Sequence, residues 1–299
     1  MAEPTPDQRM ASLIDRVKDI IGLLGPVTII SVLLVYFGYI GTRARFEYFG
    51  VNLDLADLSD RNLVLYGLEV AFVPAALIFL VMLFIVGIHT FVTWRLTQTR
   101  HARAGRVIGT IGVVVGLALI GRALIGIFVP DLARREVPGT TALALAAGPT
   151  LLTYGLWAAA YSARRSNRRF AFWYALPVMT RLRRIGIAAV TGLVVAGLFW
   201  AANSFAWAYG SGRGYDDALG LPDRPEVILD STLRITDLPA GVTETEVDGT
   251  PGAYRYRGFR LLLSSGGQLF LVPGHWTADS HTVVIPAGAA LSLQLVPRY

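Results

Sequence analysis

The sequence contains no cysteine. That excludes disulfides, thiolate metal sites, a cysteine nucleophile and lipid attachment through sulfur. Lysine is nearly absent too: Lys18 stands alone, so arginine supplies almost all the positive charge. Charged residues make up only 16% of the chain, against roughly 25% in soluble domains. Catalytic signatures are missing as well. There is no phosphate-binding glycine loop and no nucleophile elbow. His275, Asp279 and His281 come nearest to a metal set, but a catalytic zinc needs three protein ligands with suitable spacing. Ser280 and His281 are adjacent, so in a strand they point to opposite faces and cannot act as nucleophile and base. These absences argue against an enzyme, a metal site or a cofactor.

Apolar residues dominate instead, at 54% of 299 residues. A soluble domain of this length cannot hide so much apolar surface. Five stretches approach or exceed the roughly 20 residues a membrane helix needs: Ile20–Gly41, Leu63–Trp94, Val107–Val129, Thr140–Tyr161 and Ile185–Tyr209. None alternates strictly, so helices rather than barrel strands are expected, bent where Pro26, Pro74 and Pro149 fall. The first stretch is too long for a signal-peptide core, and Tyr36–Arg43 lacks a small-x-small cleavage site, so it reads as a retained anchor. The net charge of +6 lies between apolar runs, which points to membrane orientation rather than nucleic acid.

Counting Lys and Arg in alternate connections gives fourteen on one side and five on the other. By the positive-inside rule the N-terminus is cytoplasmic, the location is the plasma membrane, and the C-terminal region is extracytoplasmic. The connection 162–184 sets Phe170–Met179, including Phe172 and Trp173, between two arginine clusters: Arg164, Arg165, Arg168 and Arg169, then Arg181, Arg183 and Arg184. Ten residues cannot span, so this segment is expected to lie along the cytoplasmic interface with its arginines on anionic lipid headgroups, or to dock a partner. In the connection 42–62, Asp54, Asp57 and Asp60 lie three apart, as for one helical face. Their spacing suits a weak cation site or, more plainly, a solvated face with Ser59 or Asp60 capping the next helix.

After Tyr209 the composition changes. Residues 210–220, with Gly210, Gly212 and Gly214, read as a flexible linker. Six strand candidates follow: Glu226–Leu229, Thr232–Thr236, Tyr254–Leu263, Gln268–Val272, Thr282–Ile285 and Leu291–Val296, with a hairpin at Ser264–Gly267. The expected fold is a five-helix membrane bundle over residues 1–209 and a small all-β extracytoplasmic domain, a sandwich or open barrel, over 221–299.

Few polar residues enter the spans: Glu69, His89, Arg122 and Asn203. Arg122 is open to three readings. It snorkels to headgroups, pairs with Glu69, or serves a transport pathway. His89 and Asn203 read as interhelical hydrogen-bonding groups. Gly105, Gly109, Gly112 and Gly116 form GxxxG pairs in the third span, matched by Ala142/Ala146 and Gly155/Ala159 in the fourth. Such surfaces bring helices close, within one bundle or in a homo-oligomer.

Tyr36-Phe37-Gly38-Tyr39, Tyr48-Phe49-Gly50-Val51 and Phe72-Val73-Pro74 near one end resemble a group of uncharacterised multi-pass membrane proteins of actinobacteria. At the other end the likeness rests on Tyr254-Arg255-Tyr256, Gly258-Phe259-Arg260-Leu261-Leu262, Phe270-Leu271-Val272-Pro273 and Trp276. The resemblance implies a bacterial envelope setting and no activity. The functional expectation is a non-enzymatic envelope protein whose β domain binds a partner or senses, with a channel or transporter using Arg122 as the alternative.

Overall fold

The computed structural model describes residues 6–97, 102–129, 131, 135–166, 177–247 and 252–297. Its helices are α1 (Pro6–Glu47), the short α2 (Leu53–Ala56), α3 (Asp60–Thr97), α4 (Ala102–Phe128), α5 (Thr140–Ser166) and α6 (Pro177–Leu219). Five of them are long and apolar enough to cross a membrane, over Val27–Glu47, Asp60–Arg95, Gly105–Phe128, Thr140–Ser162 and Met179–Leu219. α3 and α5 continue through Pro74 and Pro149. Six strands follow: β1 (Glu226–Ser231), β2 (Thr243–Glu246), β3 (Tyr254–Ser265), β4 (Gln268–Pro273), β5 (Val283–Pro286) and β6 (Ala290–Val296). The chain divides into two compact units, Met1–Ala71 with Ala206–Tyr299, and Phe72–Phe205.

In the first unit, α1 ends at a Schellman motif. Gly50, at φ +68°, occupies the left-handed position. The Val51 amide bonds Phe46 O and the Gly50 amide bonds Glu47 O, satisfying carbonyls that a helix end leaves open. The chain then passes beneath the sheet. Phe46, Phe49, Val51, Leu53 and Ala56 form one core with Ala218, Leu221, Phe270 and Val272. The alternate β4 residues Leu269 and Leu271 face the other way, into a second core with Val227, Leu229, Tyr256, Phe259 and Ile285. The segment after β1 covers that second face with Ile235, Leu238 and Val242.

The sheet is antiparallel in the order β5-β4-β3-β1-β6, and β2 pairs with the start of β3. Along one edge, β3 meets β2 over Tyr254–Arg257 and β4 from Phe259 onward. Gly258, at φ +98°, lies between, and a Cβ there would come 2.2 Å from Gly241 O. This is one sheet covered by loops, not the sandwich or barrel expected. Thr232–Thr236 is not a strand. Its backbone donors go to side chains, with the Leu233 amide on Ser231 Oγ and the Ile235 amide on Tyr256 Oη. β2 carried no apolar alternation to read, because Thr-Glu-Thr-Glu pairs on one side and is largely exposed.

The linker expected at 210–220 is absent: α6 is helical to Leu219, and two of the glycines there, Gly210 and Gly214, serve close packing. A Cβ on Gly210 would lie 2.0 Å from Gly41 O, and one on Gly214 would lie 2.7 Å from Arg45 O. α1 and α3 cross as closely, since a Cβ on Gly38 would fall 1.9 Å from Leu63 O and one on Gly67 1.9 Å from Leu34 O. The sheet therefore shares one unit with α1 and the adjoining ends of α3 and α6. It is not a separate domain over 221–299.

In the second unit, α4 and α5 pack through the expected small residues. A Cβ on Gly109 would meet Ala159 Cβ at 2.9 Å, one on Gly112 the Gly155 Cα at 2.9 Å, and one on Gly116 the Leu152 nitrogen at 2.5 Å. Gly105 is buried on the same helix. α6 joins this unit at Gly197, where an added Cβ would lie 2.8 Å from both Ala142 O and Ala146 N. Phe79, Leu83 and Phe84 of α3 are about 70% exposed, as residues facing hydrocarbon are.

Candidate functional site

Two polar clusters lie among the helices. The first belongs to the unit that holds the sheet. On α6, Ala206, Gly210, Gly214 and Ala218 recur every four residues and are all buried. Tyr209, Arg213 and Asp217 form the stripe beside them. Arg45 of α1 donates through Nε to Asp217 Oδ2, and Arg224 donates to Asp217 Oδ1 at 2.6 Å. One carboxylate thus ties α1, α6 and the chain entering β1. One turn further along, Tyr209 Oη donates to Glu69 Oε1 at 2.8 Å, and Arg213 Nη2 approaches the same oxygen at 2.9 Å. Gly41, Thr42, Arg45, Tyr66, Glu69, Tyr209 and Arg213 line a cavity of about 20 Å³ here, room for a single water.

The second cluster closes the α4–α5 turn. Arg122 of α4 pairs with Glu136, which also accepts from Thr141 Oγ1 at 3.0 Å. The guanidinium holds the Glu136 carboxyl below the usual carboxylate range, and the Thr141 hydroxyl adds to the effect. The pairing of Glu69 with Arg122 is therefore replaced by two separate pairs, Glu69–Arg213 and Arg122–Glu136. The physical reason is reach. Arg122 lies near the end of α4, and Glu136, just before α5, comes within ion-pair distance of it. Neither Arg213 nor Glu136 stood out in the sequence, although Tyr209, Arg213 and Asp217 at four-residue spacing would have marked one helical face.

The other polar positions have structural settings. His89 Nδ1 lies 3.2 Å from Tyr154 Oη, and its ring sits 5.5 Å from Trp157, an interhelical contact of the kind expected. Asn203 is half-buried on α6. Arg181, Arg183 and Arg184 lie on the first turns of α6. Arg164 and Arg165 end α5, whereas Arg168, Arg169, Phe172 and Trp173 lie outside the described residues, and with them most of the interfacial segment. The three aspartates do not share a helical face. Asp54 is in α2 and accepts from Tyr39 Oη at 3.3 Å, Asp57 is left-handed at φ 41°, and Asp60 begins α3. Ser59 is the cap, its Oγ accepting from the Asn62 amide at 3.4 Å. His281 approaches the Asp237 carbonyl at 3.3 Å, and no metal-binding group occurs among the described residues.

In the sheet, Arg255 grips Asp230 with two bonds, Nε to Oδ1 at 2.7 Å and Nη2 to Oδ2 at 2.9 Å. Those bonds hold the Asp230 carboxyl below its ordinary range against the opposing effect of burial. Buried Arg260 donates to Leu221 O and Phe259 O, fastening β3 to the turn after α6. These charges lock elements together. Comparison of the chain with protein-family models, curated proteins and solved structures gave no match.

Proposed function

We propose that the chain is a non-enzymatic integral membrane protein of the bacterial envelope, with its sheet outside the membrane to bind a partner or sense. The observation that carries this reading is the junction at Arg45, Asp217 and Arg224. α6 continues as one helix from its apolar stretch to the sheet, and small residues and ion pairs hold it against α1. A sheet packed in this way moves with the ends of α1 and α6 that share its unit, because packed contacts resist independent motion. The orientation rests on the fourteen-to-five arginine and lysine asymmetry, and the bacterial setting on the resemblance described above. Membrane lipids are the expected contact of the apolar helices and of the arginine cluster at Arg181–Arg184. The alternative reading, a channel or transporter using Arg122, has to accommodate the pairing of Arg122 with Glu136.

Two measurements test the reading. Asp279→Cys in the cysteine-free chain should react with a membrane-impermeant maleimide on intact cells; reaction only after lysis would reverse the orientation. Photo-cross-linking residues at the exposed positions His275 and Arg257 should capture a discrete adduct in native membranes. Adducts from the helices but none from the sheet would defeat a binding role for the sheet.

A further inference from the structure

A sheet edge with open hydrogen-bonding groups recruits another strand unless charge, proline, shortness or cover blunts it. β2, β5 and β6 each pair on one side only among the described residues. Two of the three are blunted. β2 is four residues long and carries Glu244 and Glu246, and β5 is four residues long and ends in Pro286. β6 is the longest at seven residues, Ala290–Val296, and has neither charge nor proline. Leu295 and Val296 at its end are 53% and 42% exposed.

The register of β6 narrows the choice of occupant. From Ser292 to Val296 it pairs without a break against Asp230 to Glu226 of β1. Leu293 and Leu295 stand opposite Leu229 and Val227, so they share the face of the second core, which Leu293 already joins. Gln294 lies on the other face and is exposed.

We infer that the β6 edge seats a second copy of this chain, in antiparallel pairing centred on Gln294. In that register the strand matches itself. Leu293 opposes Leu295 of the second copy, and Leu295 opposes its Leu293, which continues the apolar core from one sheet to the next. Gln294 opposes its own counterpart, and two carboxamides can each donate and accept. Ser292 meets Val296, and no like charges face each other. The symmetry suits a membrane as well. The twofold axis of an antiparallel pair stands perpendicular to the sheet, so both copies turn the same face the same way. The face with Phe270 and Val272 packs on the ends of α1 and α6. Both sets of helices then leave on one side, as two copies in one bilayer require. A foreign strand would need none of this self-matching. The pairing is independent of what else the sheet binds.

Because the chain has no cysteine, single cysteines read the register directly. In native membranes treated with an oxidant, full-length Gln294→Cys should form a disulfide dimer, because directly opposed residues lie within disulfide reach. Ser292→Cys alone should cross-link roughly tenfold less, its counterpart being about 14 Å away along the strand. Ser292→Cys mixed with Val296→Cys should cross-link well. Gln294→Lys sets two ammonium groups opposite each other. It should shift the full chain in mild detergent from dimer to monomer in analytical ultracentrifugation while the monomer keeps the wild-type circular-dichroism spectrum; the unfolding midpoint should fall only by the lost contribution of association. No dimer from Gln294→Cys, equal yields at 292 and 294, a disulfide to a different protein, or a Gln294→Lys protein that stays dimeric would each overturn the inference. Labelling of Asp279→Cys is indifferent to all of these outcomes, so the two proposals fail separately.

Discussion

Gly210 and Gly212 lie on one helix, and the structure gives their alanine variants opposite expectations. In a helix interior alanine is favoured over glycine by about 0.8–1.0 kcal/mol. At Gly212 nothing lies within 4 Å of an added carbon, so Gly212→Ala should gain that amount. At Gly210 the carbon would lie 2.0 Å from Gly41 O, 2.8 Å from the Gly41 carbonyl carbon and 3.0 Å from Ala44 Cβ. An unstrained carbon–oxygen contact is about 3.3 Å, so α1 and α6 must separate by roughly an ångström. The obstacle is backbone and cannot rotate aside. Overpacking of this kind costs about 1–3 kcal/mol, toward the upper end here, because separation also stretches the Arg45–Asp217 pair. The two variants should therefore differ by about 1–3 kcal/mol, with Gly210→Ala the less stable. Reversible unfolding in SDS, followed by tryptophan fluorescence, measures the difference. An equal gain at both sites, as a flexible tether would give, would refute the packing argument.

Arg122→Gln and Glu136→Gln should be non-additive in the same assay by about 0.5–3 kcal/mol, whereas Arg122→Gln with Glu69→Gln should add. Coupling of Arg122 to Glu69 instead would restore the rejected pair. Asp230, whose carboxyl Arg255 holds below its ordinary range, contributes stability that is present above the unfolded-state pKa and lost as pH falls through the lowered folded-state value. Wild-type protein should lose stability through the acid range, and Asp230→Asn should flatten that slope; an unchanged slope would show that other carboxylates govern it. Trp276→Ala removes an edge-to-face partner of Phe49 at 4.9 Å and should cost about 2–3 kcal/mol for this half-buried ring. Limited proteolysis should then cut more readily between Tyr48 and Ser59, and unaltered cutting would contradict the packing of that segment under the sheet.

Much of the architecture was legible because it depends on local pattern. Long apolar runs marked five helices, and alternation with glycine turns marked β1, β3, β4, β5 and β6 and the hairpin at Gly266 and Gly267. The GxxxG spacing of Gly109, Gly112 and Gly116 pointed to close helix packing, and the partner proved to lie in the same chain, on α5. Where the reading failed, the local signal was ambiguous or missing. Gly210-Ser-Gly-Arg-Gly214 has the composition of a tether, and only the proximity of Gly41 and Arg45 makes it a packing surface. Thr243–Glu246 has no apolar face because β2 pairs at an edge with little to bury.

Composition and periodicity are properties of neighbours in the chain, so the sequence by itself determined which segments are apolar helices and which alternate as strands. It also determined that no disulfide could fasten them. Which charges meet depends on contacts between residues far apart in the chain. Arg45 with Asp217 and Glu69 with Arg213 required helices to be placed side by side, and Phe49 under Phe270 required the α1 turn to pass beneath a strand more than two hundred residues later in the chain. Burial of an ion pair or an aromatic ring is settled by what packs over it, and that was decided only by the tertiary structure.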